Sequence, residues 1–138
     1  HGMSVVALRF PFLGDLAGSI HERAERVAAD PEASNASREY WAYLDLRDAA
    51  RACLLALTRP GPGARVVSLA APTTLAPYPT EALLDRFHPL VARRRRFEGR
   101  EAPFDLARAR ALLDFEPEHL LELETRDLPD PVGGPTHG

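Results

Sequence analysis

Apolar and polar positions switch between two periods along the chain, and the switches mark its elements. Residues 5–10 form a β-branched, mostly apolar run, which predicts a strand buried on both faces as in a parallel sheet. Pro11 ends that strand and Gly14-Asp15 begins a turn. Over residues 16–29 the period becomes helical, with Ile20, Ala24, Val27 and Ala28 on one stripe. Asp30-Pro31 stops the helix, and residues 31–39 read as a polar loop. Residues 40–46 alternate, Tyr40, Ala42, Leu44 and Leu46 against Trp41, Tyr43 and Asp45, the period of a short extended segment. Asp48 is placed as the N-cap of a helix over 49–58, in which Ala50, Cys53, Leu54 and Leu57 line one apolar face.

Pro60-Gly61-Pro62-Gly63 is a connector, and residues 65–70, with Val66, Val67 and Leu69, predict a second strand. A loop bracketed by Pro72, Pro77 and Pro79 leads to a helix over 80–87 with Leu83, Leu84 and Phe87 inward, closed by His88-Pro89. Residues 90–97 read as a third, more exposed extended piece. A last helix starts at Phe104-Asp105, with Asp105 as its cap, and runs to about Leu113, burying Leu106, Ala109, Leu112 and Leu113. The class is therefore α/β: a small domain of about three short strands alternating with about four helices. It occupies residues 4–127. Residues 1–3 read as a cloning remnant and start methionine, and 128–138 as a disordered tail.

Composition narrows the chemistry. The 138 residues carry a net charge of −3, and all 17 basic residues are arginine. Without lysine there is no Walker-A lysine, Schiff-base amine or Tyr-Lys pair. The acidic balance argues against nucleic acid as a partner. The single cysteine, Cys53, excludes an intramolecular disulfide and reads as a packed thiol. The five histidines have no metal-ligand spacing, so no metal is expected. No run reaches the ~20 apolar residues of a membrane span, and no secretory signal is evident. The default compartment is cytoplasmic, with no membrane partner.

The order of the blocks says more than any one of them. Val6-Ala7-Leu8-Arg9-Phe10-Pro11 is followed by Tyr43-Leu44-Asp45-Leu46-Arg47-Asp48-Ala49-Ala50-Arg51-Ala52, then by Val66-Val67-Ser68-Leu69-Ala70-Ala71 and Pro79-Thr80-Glu81-Ala82-Leu83-Leu84. The last block runs from Phe104-Asp105-Leu106 to Asp114-Phe115-Glu116-Pro117. This succession resembles the C-terminal, substrate-binding half of NAD-dependent epimerase/dehydratases, the extended short-chain dehydrogenase/reductases. The resemblance implies NAD or NADP as cofactor of a complete homologue. The Gly-rich dinucleotide loop and the Tyr-x-x-x-Lys pair of that family have no counterpart here, so this chain alone is expected to bind no cofactor and to be inactive. It implies that Arg9, Phe10 and Pro11 border the cofactor, and that Arg95 or Arg96, within Arg93-Arg94-Arg95-Arg96, reaches substrate phosphates. The bland reading of that arginine run is a solvated edge that discourages strand pairing.

Trp41 and Tyr43 are candidate substrate contacts; Trp41 stands where the family often has arginine, and its alternative is a core position. Asp48 and Asp105 are assigned structural roles, Arg9 with Asp48 being a candidate ion pair. Asp114 stands where the family usually has glycine after the last helix, so a weaker cap is expected. Expected partners are a second copy of the chain or a missing N-terminal half, and a small phosphorylated or sugar ligand. The competing class is a non-catalytic ligand-binding or oligomerisation module.

Overall fold

A computed structural model describes residues 2–131 except Pro60. It is a small α/β domain. Strand β1 (Val5–Arg9) pairs in parallel with β4 (Ala64–Ser68), and β2 (Phe12–Gly14) pairs in parallel with β3 (Tyr43–Asp45). Helix α1 (His21–Ala29) follows a π-helical turn at Leu16–Ile20, and a 3-10 turn at Asn35–Glu39 precedes β3. Helix α2 (Leu46–Thr58) crosses from β3 towards β4; α3 (Thr80–Phe87) and α4 (Ala107–Leu113) complete the element order. The described part of the expected tail, residues 128–131, has no regular structure. His1 and residues 132–138 lie outside the described residues.

Two apolar clusters make the core. One joins Ile20, Ala24 and Val27 to Trp41, Tyr43, Leu75, Tyr78 and Leu83; the other joins Leu44, Ala52, Val67, Leu69, Leu113 and Phe115. Ile20, Ala24, Val27, Leu83, Leu84, Ala109 and Leu113 are all buried, as their helical spacing predicts.

Four expectations are corrected. Strand β1 is not buried on both faces: Val6 and Leu8 pack on the second cluster, while Val5, Ala7 and Arg9 are exposed. Helix α2 turns the stripe of Leu54 and Leu57 (60% and 82% exposed), Ala50 and Cys53 outward, and buries Asp48, Ala49 and Ala52 instead. Apolar residues occupy both sides of this helix, so periodicity does not phase it; the smaller side chains let its backbone approach the strands closely. Cys53 is therefore an exposed thiol. The cap of α2 is Asp45, whose carboxylate accepts from the Arg47 amide, and Asp48 lies a turn inside the helix. Residues 90–97 are irregular, with bends at 91 and 94–95, rather than a strand.

Strand β2 beyond Pro11 was not expected; Leu13 packs on the second cluster and Gly14 sits against Ser19 and Ile20, with no room for a Cβ. Of the predicted extended segment 40–46 only residues 43–45 are strand, all buried, while Tyr40 (φ 53°) and Trp41 (φ 56°) are left-handed. Asp105 accepts from the Ala107 amide at 3.0 Å at the start of α4. Asp114 adopts φ 53° after it, its amide donating to the Ala109 and Arg110 carbonyls.

Candidate functional site

Polar groups hold the elements where apolar contacts alone would not. Asp45, 1% exposed at the end of β3, accepts from the Leu16 amide (3.0 Å), the Arg47 amide (2.9 Å) and the Arg47 guanidinium (2.8 and 3.1 Å). The Arg47 guanidinium, aided by the two amides, holds its carboxyl at about 2, below the ordinary 3.8. A depressed carboxylate pKa stabilises the fold fully above the unfolded-state value, and that contribution is lost as pH falls through the folded-state value. Acid titration is therefore expected to weaken the protein between about pH 4 and pH 2. An Asp45→Asn variant should show a shallower loss across that window in chemical denaturation; an unchanged slope would contradict the role given to Asp45.

Asp48 is fully buried and accepts from the Glu118 amide (3.1 Å), the His119 amide (2.9 Å), the His119 ring (Nδ1, 3.1 Å) and Arg51 (3.3 Å). Burial pushes its carboxyl up, but the amides, the ring and the guanidinium together hold it below its ordinary value. Arg9 is not its partner: Arg51 and His119 take that place. Farther along, the Leu121 amide donates to the Tyr43 hydroxyl (2.7 Å), and the Arg126 amide donates to the Pro77 carbonyl (2.9 Å). Residues 116–126 are thus a strap laid across the core.

Arg100 is 8% exposed and faces no carboxylate. Its guanidinium donates to the carbonyls of Ala76 (2.9 Å), Leu123 (3.2 Å) and Thr74. Burial lowers its pKa below the ordinary guanidinium value. Residues 72–74 and 100–102 pair through the Thr74 amide to Arg100 carbonyl and the Ala102 amide to Pro72 carbonyl bonds, each 2.8 Å.

That paired segment forms one wall of a cavity of about 840 Å³, within the size range of small-molecule sites. Tyr40, Leu84, Phe97 and Phe104 give it an apolar lining, and Arg93, Arg94, Arg95 and Arg110 bring cations to it. Arg93 is paired with Glu81 and with Asp85 (2.7 Å), Arg95 with Glu101 (2.6 Å) and Arg110 with Glu116 (2.7 Å). Arg94 has no ion-pair partner among the described residues.

The candidates from the sequence divide into three groups. Arg95 lines the cavity, whereas Arg96 lies in a shallow depression with Glu81 and Asp85. Trp41 and Tyr43 are fully buried. Trp41 packs edge-on to Phe87 and His88, taking the core alternative, and Tyr43 holds the strap. Arg9, Phe10 and Pro11 stand together at the carboxyl end of β1, with Arg9 and Phe10 exposed. Sequence reasoning missed Tyr40, Phe104 and Arg94 as cavity residues. Only the unusual density of aromatic and arginine residues on either side of the proline-rich loop could have signalled them.

No family model, curated protein or solved structure matches the chain. Its chemistry has to be read from its own geometry. Among the described residues no three His, Cys, Asp or Glu side chains are placed to hold a metal ion. No helix among them is long and apolar enough to cross a membrane.

Proposed function

We propose that this chain is the substrate-binding portion of an NAD-dependent epimerase/dehydratase, dependent on a nucleotide-binding half for catalysis. The observation that carries the reading is the unfinished parallel sheet. Parallel strands are found almost only in sheets covered on both faces, and two strands alone are marginal. Here β1 and β4 are covered on one face only; Val5 (44% exposed), Ala7 and Val66 (45%) lie on the other. The two edges also differ. The β4 edge is covered by Arg108, whose guanidinium donates to the Val66 carbonyl at 2.8 Å. On β1 the Val5 amide and the Arg9 carbonyl bond towards β4 (to Gly63 and from Leu69). By the alternation of a parallel ladder, the peptide groups of Val6 and Leu8 point the other way. That edge accepts a further strand. Arg9, Phe10 and Pro11, beside it, stand outside the carboxyl end of β1, the place where open α/β sheets bind ligands. NAD or NADP would be held by the absent half, and Arg95 would face the substrate from the cavity.

In isolation the open edge should pair with a second copy of the chain. Sedimentation is expected to show a dimer at high micromolar concentration, and hydrogen exchange to show the Val6 and Leu8 amides protected in the dimer but not in a diluted monomer. A stable monomer that protects both amides would overturn the reading, as would turnover of NAD by the chain alone. A second reading is favoured by the cavity, whose lining lies within the chain: a ligand-binding module that works without a cofactor half.

A further inference from the structure

We propose that the 840 Å³ cavity takes a small ligand with a flat, apolar body and a single anionic group, a carboxylate or a phosphate monoester, rather than a nucleoside diphosphate sugar. The inference deepens the reading above by giving the cavity a ligand class, and it rests on that cavity being the chain's substrate site.

Charge balance sets the limit on the anion. Of the four guanidiniums at the cavity, those of Arg93, Arg95 and Arg110 are already matched by carboxylates at 2.6–2.7 Å or closer. Asp105, also on the lining, adds a negative charge. Arg94 is exposed and has no ion-pair partner among the described residues. One free guanidinium forks onto one carboxylate or one phosphate. A diphosphate would leave a second charge facing Asp105 with no free guanidinium to meet it, and like charges brought together in a cleft repel.

The backbone points to the same cavity. Tyr40 and Trp41 are consecutive left-handed residues, φ 53° and 56°. For non-glycine residues this costs about 1–3 kcal/mol each, and such strain concentrates where a binding site needs it. Its effect here is to send two successive aromatic side chains to different places. Trp41 enters the core, and Tyr40 is set against the cavity, its ring 4.6 Å from His88 and edge-on to Phe104 at 6.2 Å. Tyr40, Phe104 and Phe97 thus offer aromatic surface for a planar body, and ring pairs of this kind contribute beyond the area they bury.

Titration calorimetry on the full chain tests this with four probes: 3-phenylpropionate, phenyl phosphate, inorganic phosphate and UDP-glucose. The two aromatic anions should bind saturably, each on the order of tenfold more tightly than inorganic phosphate or UDP-glucose. Arg94→Ala, at an exposed position, should weaken the aromatic anions by about tenfold. Tyr40→Gly should weaken them as well; glycine adopts the left-handed conformation without strain, so the turn survives. Tighter binding of UDP-glucose would overturn the ligand class and leave the epimerase/dehydratase reading standing. Affinities unchanged by Arg94→Ala would overturn the assignment of the free guanidinium. No binding of any probe to a chain shown folded by circular dichroism would overturn the site itself. The dimer and exchange measurements on β1 are independent of all three outcomes.

Discussion

Arg100→Leu is expected to destabilise the protein by about 2–4 kcal/mol, the cost of taking a charged donor away from buried backbone carbonyls. Among the described residues, the guanidinium is the one group that ties the Thr74 and Ala76 carbonyls of the proline-rich loop to the Leu123 carbonyl of the strap. Hydrogen bonds from a charged donor contribute about 1.5–3 kcal/mol each; the Thr74 carbonyl would be left buried without a partner, and the Ala76 carbonyl would keep only the Thr74 hydroxyl at 3.4 Å. Desolvation of the charge works against it, which the lowered pKa of Arg100 records, so the net effect is smaller than the sum of three bonds. Such a loss is a large part of the ~5–15 kcal/mol that holds a domain together. Urea unfolding should show a lower midpoint with an unchanged slope. A shift of less than about 1 kcal/mol would mean that water or neighbouring groups replace the guanidinium, and that the loop is held by its backbone hydrogen bonds and apolar contacts. Arg100→Lys should recover only part of the loss, since an ammonium lacks the planar fork that reaches three carbonyls.

Asp48→Ala should release the strap, at a cost of about 3–4 kcal/mol. Four donors converge on this fully buried carboxylate, two of them the amides of Glu118 and His119. With the carboxylate gone, those two amides lose their acceptor, while the Arg51 guanidinium keeps the Glu116 carbonyl. The expected signature is local: cleavage after Glu118 or Glu122 by a glutamate-specific protease at concentrations that leave the parent protein intact. If the variant fails to fold, Asp48→Asn gives the same reading more gently, because the amide oxygen keeps one acceptor and the volume. Acid adds a separate check. The Asp48 carboxyl lies below its ordinary value when folded, so its contribution is present above the unfolded-state value and declines as pH falls. Asp48→Asn should therefore reduce the acid sensitivity of stability. Parent and variant losing stability in parallel would contradict the network.

The sequence determined the class and most of the element order. Prolines and glycines punctuate the chain where the elements change, and the stripes Ile20-Ala24-Val27 and Leu83-Leu84 have polar opposite faces, so period alone phases them. Helix α2 has no such contrast. Leu54 and Leu57 are more apolar than Ala49 and Ala52, yet the alanine side is buried, because close approach to the strands depends on side-chain size. Asp45 and Asp48 are both chemically fit to cap a helix; which one does so depended on where β3 ends and on the Leu16 amide brought to it from a distant turn.

The site was less legible still. An arginine run is visible in any sequence, but which of its guanidiniums stays free is decided by Glu81, Asp85 and Glu101, carried in by α3 and the paired loop. The left-handed pair at Tyr40 and Trp41 has no local signal, since neither residue favours that conformation; it is imposed by the 3-10 turn before it and the core that takes the indole. Local chemistry thus fixed the helices and the strands β1, β3 and β4, but neither β2 nor the irregular course of residues 90–97. Packing and long-range charge pairing, which no short window contains, decided which faces are buried, which edge is open and which cation is left for a ligand.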